Sequence, residues 1–345
     1  MQRASATVFF LRRPQLDFFS TRLRPAVKFN KRKVTSATDG MFATPACASK
    51  LIAPMHWKLT LTYDGTPFNG WQIQPNLPTI QGTLAQAIHR ITGETVLPQG
   101  SGRTDTGVHA LAQVASFTLT VPIPATNFHR ALNRALPPSI RVLSVETVRA
   151  DFHARHSARR KTYEYRIFPG DRICPPMLAP YVWPCRLPLD LAALQQSATH
   201  VLGTHDFTSF AANDADLTTR NQLTEDETDD GPRIEPNQNV VILTGGGGIA
   251  AAVEESASLP HHSTRTIRTI HQSIWCQQDD LFIYRVTGTG FLHHMVRNLV
   301  GTFVQAAIHR IAPDEIHNIL AAGNRSAAGP TAPASGLFLV EVEYD

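Results

Sequence analysis

Between Gly100 and Ala110 the chain reads Gly100-Ser101-Gly102-Arg103-Thr104-Asp105-Thr106-Gly107-Val108-His109-Ala110, its densest run of potentially reactive residues. Read as backbone alone, this is a turn, since Asp followed by Thr-Gly makes an Asx-turn and the glycines supply conformational freedom. Read as chemistry, it offers a carboxylate, Asp105, two residues after a cation, Arg103, with glycines that let a ligand's backbone come close. One carboxylate beside one cation suits a nucleophile acting on an anionic substrate.

Two further clusters carry chemistry. Asp151 to Tyr165 (D-F-H-A-R-H-S-A-R-R-K-T-Y-E-Y) mixes Arg and Lys with histidines and aromatics. Cations meet phosphates and aromatic faces stack on splayed bases, the usual way of holding looped RNA; the same composition also fits a basic loop running into an ordinary edge strand. Phe291 to Asn298 (F-L-H-H-M-V-R-N) opens an apolar segment. His293 and His294 are adjacent, so on a helix they would point about 100° apart. No carboxylate or Cys follows at helical spacing to complete a metal site, and no metal is expected there. Arg297 is different, because a cation among apolar neighbours needs an anion.

Composition narrows the field of functions. The chain has 345 residues with 42% hydrophobic and 17% charged residues, enough to bury a sizeable core. No apolar run approaches the roughly 18 to 20 residues that cross a bilayer, so a soluble protein is expected. The four cysteines, Cys47, Cys174, Cys185 and Cys276, have no C-x-x-C spacing and suggest neither zinc nor a disulfide framework. The net charge of +4 conceals unequal blocks. Residues 1–54 hold 10 basic and 2 acidic residues, and 214–262 hold 2 basic and 10 acidic. The first block reads as a disordered basic extension, either a transit peptide or an upstream extension of the reading frame before Met41 or Met55. The second reads as an acidic, Gly-rich disordered insertion, since its Gly245 to Gly248 run lacks the Lys-Ser/Thr of a phosphate loop.

Periodicity places the clusters on elements. Period-two alternation predicts strands over Trp57 to Tyr63, Thr95 to Leu97, His109 to Leu119, Ile140 to Val148, Thr162 to Phe168 and Gly336 to Tyr344. A hairpin is expected from Thr266 to Trp275 and Leu281 to Thr287, turning at Gln277 to Asp280. Helices are expected over Thr79 to Ile91, Asn127 to Leu136, Leu189 to Leu202, Gly290 to Arg310 and Pro313 to Ala321. Strands and helices mixed with hairpins argue an α+β fold with a mostly antiparallel sheet. The recurrent order hints at two similar halves, 55–160 and 161–345.

Four ordered motifs carry a resemblance. They are Tyr63-Asp64-Gly65 with Gly70-Trp71-Gln72; Gly102 to Asp105 with Gly107-Val108-His109-Ala110 and Gln113; Phe152-His153-Ala154-Arg155 with Ser157-Ala158; and Phe291 to Asn298 with Gly301. From Trp57 to Tyr344, outside the insertion, the chain resembles the tRNA pseudouridine synthase A family. The resemblance implies two α/β halves around a continuous sheet, a central basic cleft, and a cytoplasmic homodimer sharing tRNA between subunits. It implies isomerisation of uridine to pseudouridine at positions 38 to 40 of the anticodon stem-loop, without cofactor or metal. By position, Asp105 becomes the catalytic aspartate and Tyr163 the aromatic residue against the target base. Arg103 and Arg297 become the accompanying cations, with His109 and Arg155 also on the substrate side.

The reaction breaks the N1 to C1′ bond, turns the uracil and rejoins it through C5. A single carboxylate can attack C1′, attack C6, or remove the 2′ proton by way of a glycal. Other classes compete: a non-catalytic tRNA-binding protein or folding chaperone would keep the basic cleft without needing Asp105. A nucleoside glycosidase would want a second acid near the first, and none is near in sequence.

Overall fold

The computed structural model describes residues 53–212 and 266–345. The blocks 1–52 and 213–265, on which the readings of the extension and the insertion fall, lie outside the described residues.

Among the described residues ten strands make one sheet. The first three of its main path are β1 (Met55–Tyr63), β3 (His109–Leu119) and β4 (Ile140–Val148); β2 (Gln99–Gly100) is a two-residue strand paired on β3. The later strands are β5 (Arg160–Pro169), β6 (Trp183–Cys185), β7 (Gly203–Asp206), β8 (Ile267–Gln278), β9 (Leu281–Gly288) and β10 (Leu337–Glu343). Their order is β4-β1-β3-β10-β5-β9-β8-β7, with β6 paired on β5. All pairings are antiparallel except β10 with β3 and β5 with β6. The fold mixes helices with a mostly antiparallel sheet, as the expected α+β class does. β10 enters between β3 and β5, pairing Leu339 with Ala110 on one side and with Tyr163 on the other.

Among the described residues five α-helices accompany the sheet: α1 (Ile80–Thr92), α2 (Ala125–Ala135), α3 (Leu191–Thr199), α4 (Met295–Ala307) and α5 (Glu315–Ala322). Thr79 caps α1 by accepting from the Gly82 amide, which satisfies an amide the helix itself leaves open. On α2, Phe128 is fully buried, edge-on to Trp57 of β1 and Phe117 of β3. Burying such a ring is worth about 1.5 to 3 kcal/mol, which ties α2 to the sheet. Helix α4 is buried almost all round, with Leu299, Val300 and Phe303 at zero exposure, so its register is fixed by packing on every side.

Three expectations change. Thr95 to Leu97 forms no strand, because Pro98 has no amide to give a ladder and pairing starts only at Gln99. The hairpin tightens: β8 runs on to Gln278 and Asp279 turns with φ 51°, leaving a two-residue connection. The helix expected from Gly290 starts at Met295, since residues 289–294 form a loop ending in His294 at φ 60°.

Candidate active site

Asp105 sits in the loop between β2 and β3, and the neighbouring chain dictates that loop's shape. Gln113, fully buried on β3, accepts from the Ser101 hydroxyl at 2.6 Å and donates to the Gly102 carbonyl at 2.9 Å. Thr104 is buried and shares a 2.8 Å hydrogen bond with the Tyr63 hydroxyl, while its carbonyl accepts from the Trp71 amide at 2.9 Å. Burial drives the Tyr63 pKa up to about 12 against the hydrogen bonds from Thr104 and Gln113, so it remains a neutral phenol. Glycine is required at two contact points. A Cβ on Gly70, itself at φ +79°, would lie 2.7 Å from the Thr104 carbonyl, and one on Gly65 would lie 2.0 Å from the Val108 carbonyl. The motif around Tyr63 to Gln72 is therefore the bed on which the Asp105 loop rests.

The carboxylate of Asp105 meets three cationic or imidazole groups. Oδ1 is 3.2 Å from Nε2 of His293, and Oδ2 is 3.3 Å from Nε2 of His294 and 3.2 Å from Nη1 of Arg297. The Asp105 side chain is 16% exposed, so the group is shielded yet reachable. Burial acts to raise its pKa, but the hydrogen bond from His293 and the charges of His294, His293 and Arg297 outweigh burial and hold it at about 2. Asp105 is therefore an anion at neutral pH.

Arg297 lies in the first turn of α4. Its guanidinium fork is split, Nη1 donating to Asp105 and Nε to the Ala332 carbonyl at 2.8 Å. The anion that this buried cation requires is thus Asp105, 192 residues earlier.

The histidine pair departs from the sequence reading. Neither residue is on the helix. His294 takes a left-handed conformation costing about 1 kcal/mol, and the two rings lie 3.9 Å apart at 31°, both aimed at Asp105. The missing carboxylate comes from across the fold, and the three residues offer donor atoms within 4.8 Å of one another. Arg297, at 3.2 Å from the same Oδ2, would repel a divalent ion there, so the donor set suits a carboxylate bound by cations. Sequence reasoning missed both histidines as partners of Asp105; their position three and four residues before Arg297 was the available signal.

Tyr163 on β5 is 8% exposed, with its ring edge-on to Phe291 at 5.0 Å. Burial first, and then the charges of Tyr63 and Asp105, raise its pKa, so it is a neutral aromatic surface beside the carboxylate. Arg103 is exposed on the Asp105 loop. Arg155 is exposed in the loop before β5, whose Ala154 amide donates to the Ser116 hydroxyl at 3.1 Å. His109 is placed otherwise, at 1% exposure beneath the loop. Its Nδ1 accepts from the Gly65 amide at 3.1 Å, its Nε2 faces the Pro180 carbonyl at 3.1 Å, and its ring stacks on Phe338 at 4.7 Å. Burial lowers its pKa against the pull of Asp64, which favours the neutral ring that these two contacts require.

A family model described as tRNA pseudouridine synthase matches residues 60–157 and 255–345. The chain belongs to the tRNA pseudouridine synthase family. It is 42% identical over 287 residues to a tRNA pseudouridine synthase A of Solibacter usitatus, covering 83% of this chain and 98% of that one. It is 39% identical over 290 residues to a tRNA pseudouridine synthase A of Moorella thermoacetica, again covering 83% and 98%. A protein of the same name from Maridesulfovibrio salexigens is 39% identical over 289 residues, covering 83% of this chain and 89% of its own. Members of the family are isomerases that make pseudouridine in tRNA. Among the described residues no helix is long and apolar enough to cross a membrane.

Proposed function

We propose that this protein isomerises uridine to pseudouridine at positions 38 to 40 of the tRNA anticodon stem-loop, as a cytoplasmic homodimer and without a cofactor or metal. The observation that carries the reading is the Asp105 carboxylate, ionised by Arg297 and the histidine pair and flanked by Tyr163. A base paired in a stem is out of reach of such a buried group, so the enzyme extrudes it at a cost of a few kcal/mol. Tyr163 then stacks on the uracil. Arg103, on the exposed rim of the loop, fills the vacated space or clasps the backbone, and Arg155 meets phosphate. His109 acts indirectly, by holding the loop from below.

At the reacting centre Asp105 acts at C1′, at C6, or on the 2′ proton. All three roles require the anion, which Arg297 and the histidines maintain. A glycosidase would pair the carboxylate with a second carboxyl group, whereas the contacts found here are two imidazoles and a guanidinium. The test is incubation with unmodified tRNA followed by mass spectrometry and chemical mapping. Pseudouridine at 38 to 40 is the expected product. Release of free uracil would favour hydrolysis, and binding without turnover would favour a chaperone; either result refutes the proposal.

A further inference from the structure

Beside the Asp105 loop stands a group of cations, Lys161, Arg268 and Arg155, of which the chemistry above uses only Arg155. Lys161 lies two residues before Tyr163 on β5, so both side chains leave the strand on one face, about 7 Å apart along it. Its Nζ donates to the Ser101 carbonyl, inside the loop that carries Asp105. A Cβ on Gly102 would stand 3.5 Å from that nitrogen and 3.9 Å from the Tyr163 hydroxyl, which puts ammonium, phenol and catalytic loop around one point.

Arg268 reaches the same end of the sheet. Lys161 pairs with Gly288 of β9, and Gly288 pairs with Ile270 of β8, two residues after Arg268. The Arg268 Nε lies 3.6 Å from where a Cβ on Gly290 would be. Arg155 adds a third charge from the loop before β5. Burial, then Arg155 and Arg268, lower the Lys161 pKa to about 8; burial and then Arg155 lower that of Arg268. Among the described residues, the backbone carbonyl of Ser101 is the hydrogen-bond partner of Lys161, and no carboxylate pairs with it. A largely buried ammonium with no carboxylate beside it raises the energy of the free protein, and an anion arriving there relieves it.

We propose that Lys161, Arg155 and Arg268 form a binding site for one phosphodiester of the RNA strand that carries the extruded uridine. The site rests on the reading above that the chain acts on tRNA. An ammonium has three donors; Ser101 takes one and two remain for phosphate oxygens. With the base on Tyr163 and the phosphate at Lys161, the nucleotide lies along β5. Lys161 then joins that phosphate to the loop bearing Asp105, so that seating the backbone also braces the carboxylate.

The experiment uses the full chain and unmodified tRNA transcripts. It measures affinity across a salt series and single-turnover pseudouridine formation at saturating tRNA, for wild type, Lys161→Met, Lys161→Arg, Arg268→Gln and Arg155→Gln. Each lost phosphate contact lowers the slope of log affinity against log salt by about 1. We expect that loss in Lys161→Met together with a roughly tenfold lower rate. Lys161→Arg should regain the slope but only part of the rate, because a planar fork does not reproduce the Ser101 contact. If Lys161→Met loses its native melting transition, Arg268→Gln and the exposed Arg155→Gln carry the slope measurement. Unchanged slopes in folded variants overturn the inference, as does a slower Lys161→Met with the wild-type slope, which would make Lys161 a brace alone. A wild type that makes no pseudouridine while the slopes still fall leaves the phosphate site standing and sinks the isomerase reading instead.

Discussion

Two imidazole–carboxylate contacts lie at opposite ends of the same short stretch of chain. His109 Nδ1 is 3.2 Å from Asp64, and His293 Nε2 is 3.2 Å from Asp105. Their surroundings differ. Asp64 accepts from the Thr66 amide and the Tyr181 hydroxyl, as a turn carboxylate does, and His109 has protein partners on both ring nitrogens. Asp105 is met by side chains from the start of α4 and the loop before it, and His293 keeps its Nδ1 buried without a hydrogen-bond partner. The first pair is complete in itself and holds a loop. The second sets an anion against two imidazoles and a guanidinium from a distant part of the chain, where a carboxylate can attack or take a proton. Equal distances therefore do not imply equal roles; what separates them is whether local backbone has already satisfied the group.

The largest expected effect breaks the second pair at its centre. Asp105→Asn should lower pseudouridine formation by roughly a thousandfold or more while tRNA affinity stays within a few-fold, because phosphate contacts dominate binding. Substantial residual turnover would defeat the assignment.

Next comes Arg297→Met, which should slow catalysis by about 10- to 100-fold, the scale of a lost hydrogen bond between charged groups. Asp105 has a folded pKa of about 2 against 3.8 unfolded, so its stabilising contribution is complete above pH 3.8 and fades as pH falls towards 2. Without Arg297 the carboxyl pKa rises, and the acid limb of the pH–rate profile should move to higher pH. Arg297→Lys should recover part of the rate, since one ammonium nitrogen cannot occupy both the Nε and the Nη1 positions from which the fork reaches the Ala332 carbonyl and Asp105. An unmoved acid limb in Arg297→Met would show that the contact is electrostatically idle.

Breaking the first pair should do something else. His109→Gln is expected to lower unfolding stability by about 2 kcal/mol, from hydrogen bonds and stacking lost in a sealed site. Turnover per folded molecule should change only a few-fold, as judged by denaturant melts beside active-site titration. A hundredfold loss of rate in well-folded protein would place His109 in the chemistry.

The smallest effect belongs to Asp64→Asn. With a carboxylate 31% exposed and held by its own turn, it should cost about 0.5 kcal/mol and leave the pH profile in place. A shifted profile would mean that the two pairs are coupled through the loop.

Much of this frame was legible in the sequence. The strand His109–Leu119 has the bounds that the sequence predicts, and α1 at Ile80–Thr92 lies within a residue of the Thr79 to Ile91 expected of it. Asp105 and Arg297 stood out as a carboxylate in a glycine-rich loop and a cation among apolar residues. Their meeting is a contact between residues 192 positions apart, which no local pattern encodes; the family resemblance supplied it. The histidines were lost for a definable reason. The segment from Gly290 has no proline and enough apolar residues to read as helix, and on a helix neighbours diverge, whereas the left-handed His294 turns both rings the same way. Lys161 escaped notice because in sequence it is one more basic residue in a basic run, and only the β5 pairing sets it under Ser101.

The strand β10 gives the molecule an order of assembly. It follows every other described strand in sequence, yet Leu339 is the residue that joins Ala110, just after the Asp105 loop, to Tyr163. During synthesis the carboxylate wall and the aromatic wall are both made well before the piece that sets them side by side. A nascent chain halted after α5 carries the side chains that surround Asp105 but lacks the strand that pairs with both β3 and β5, so the joining of the two walls is completed only once synthesis has passed Leu339.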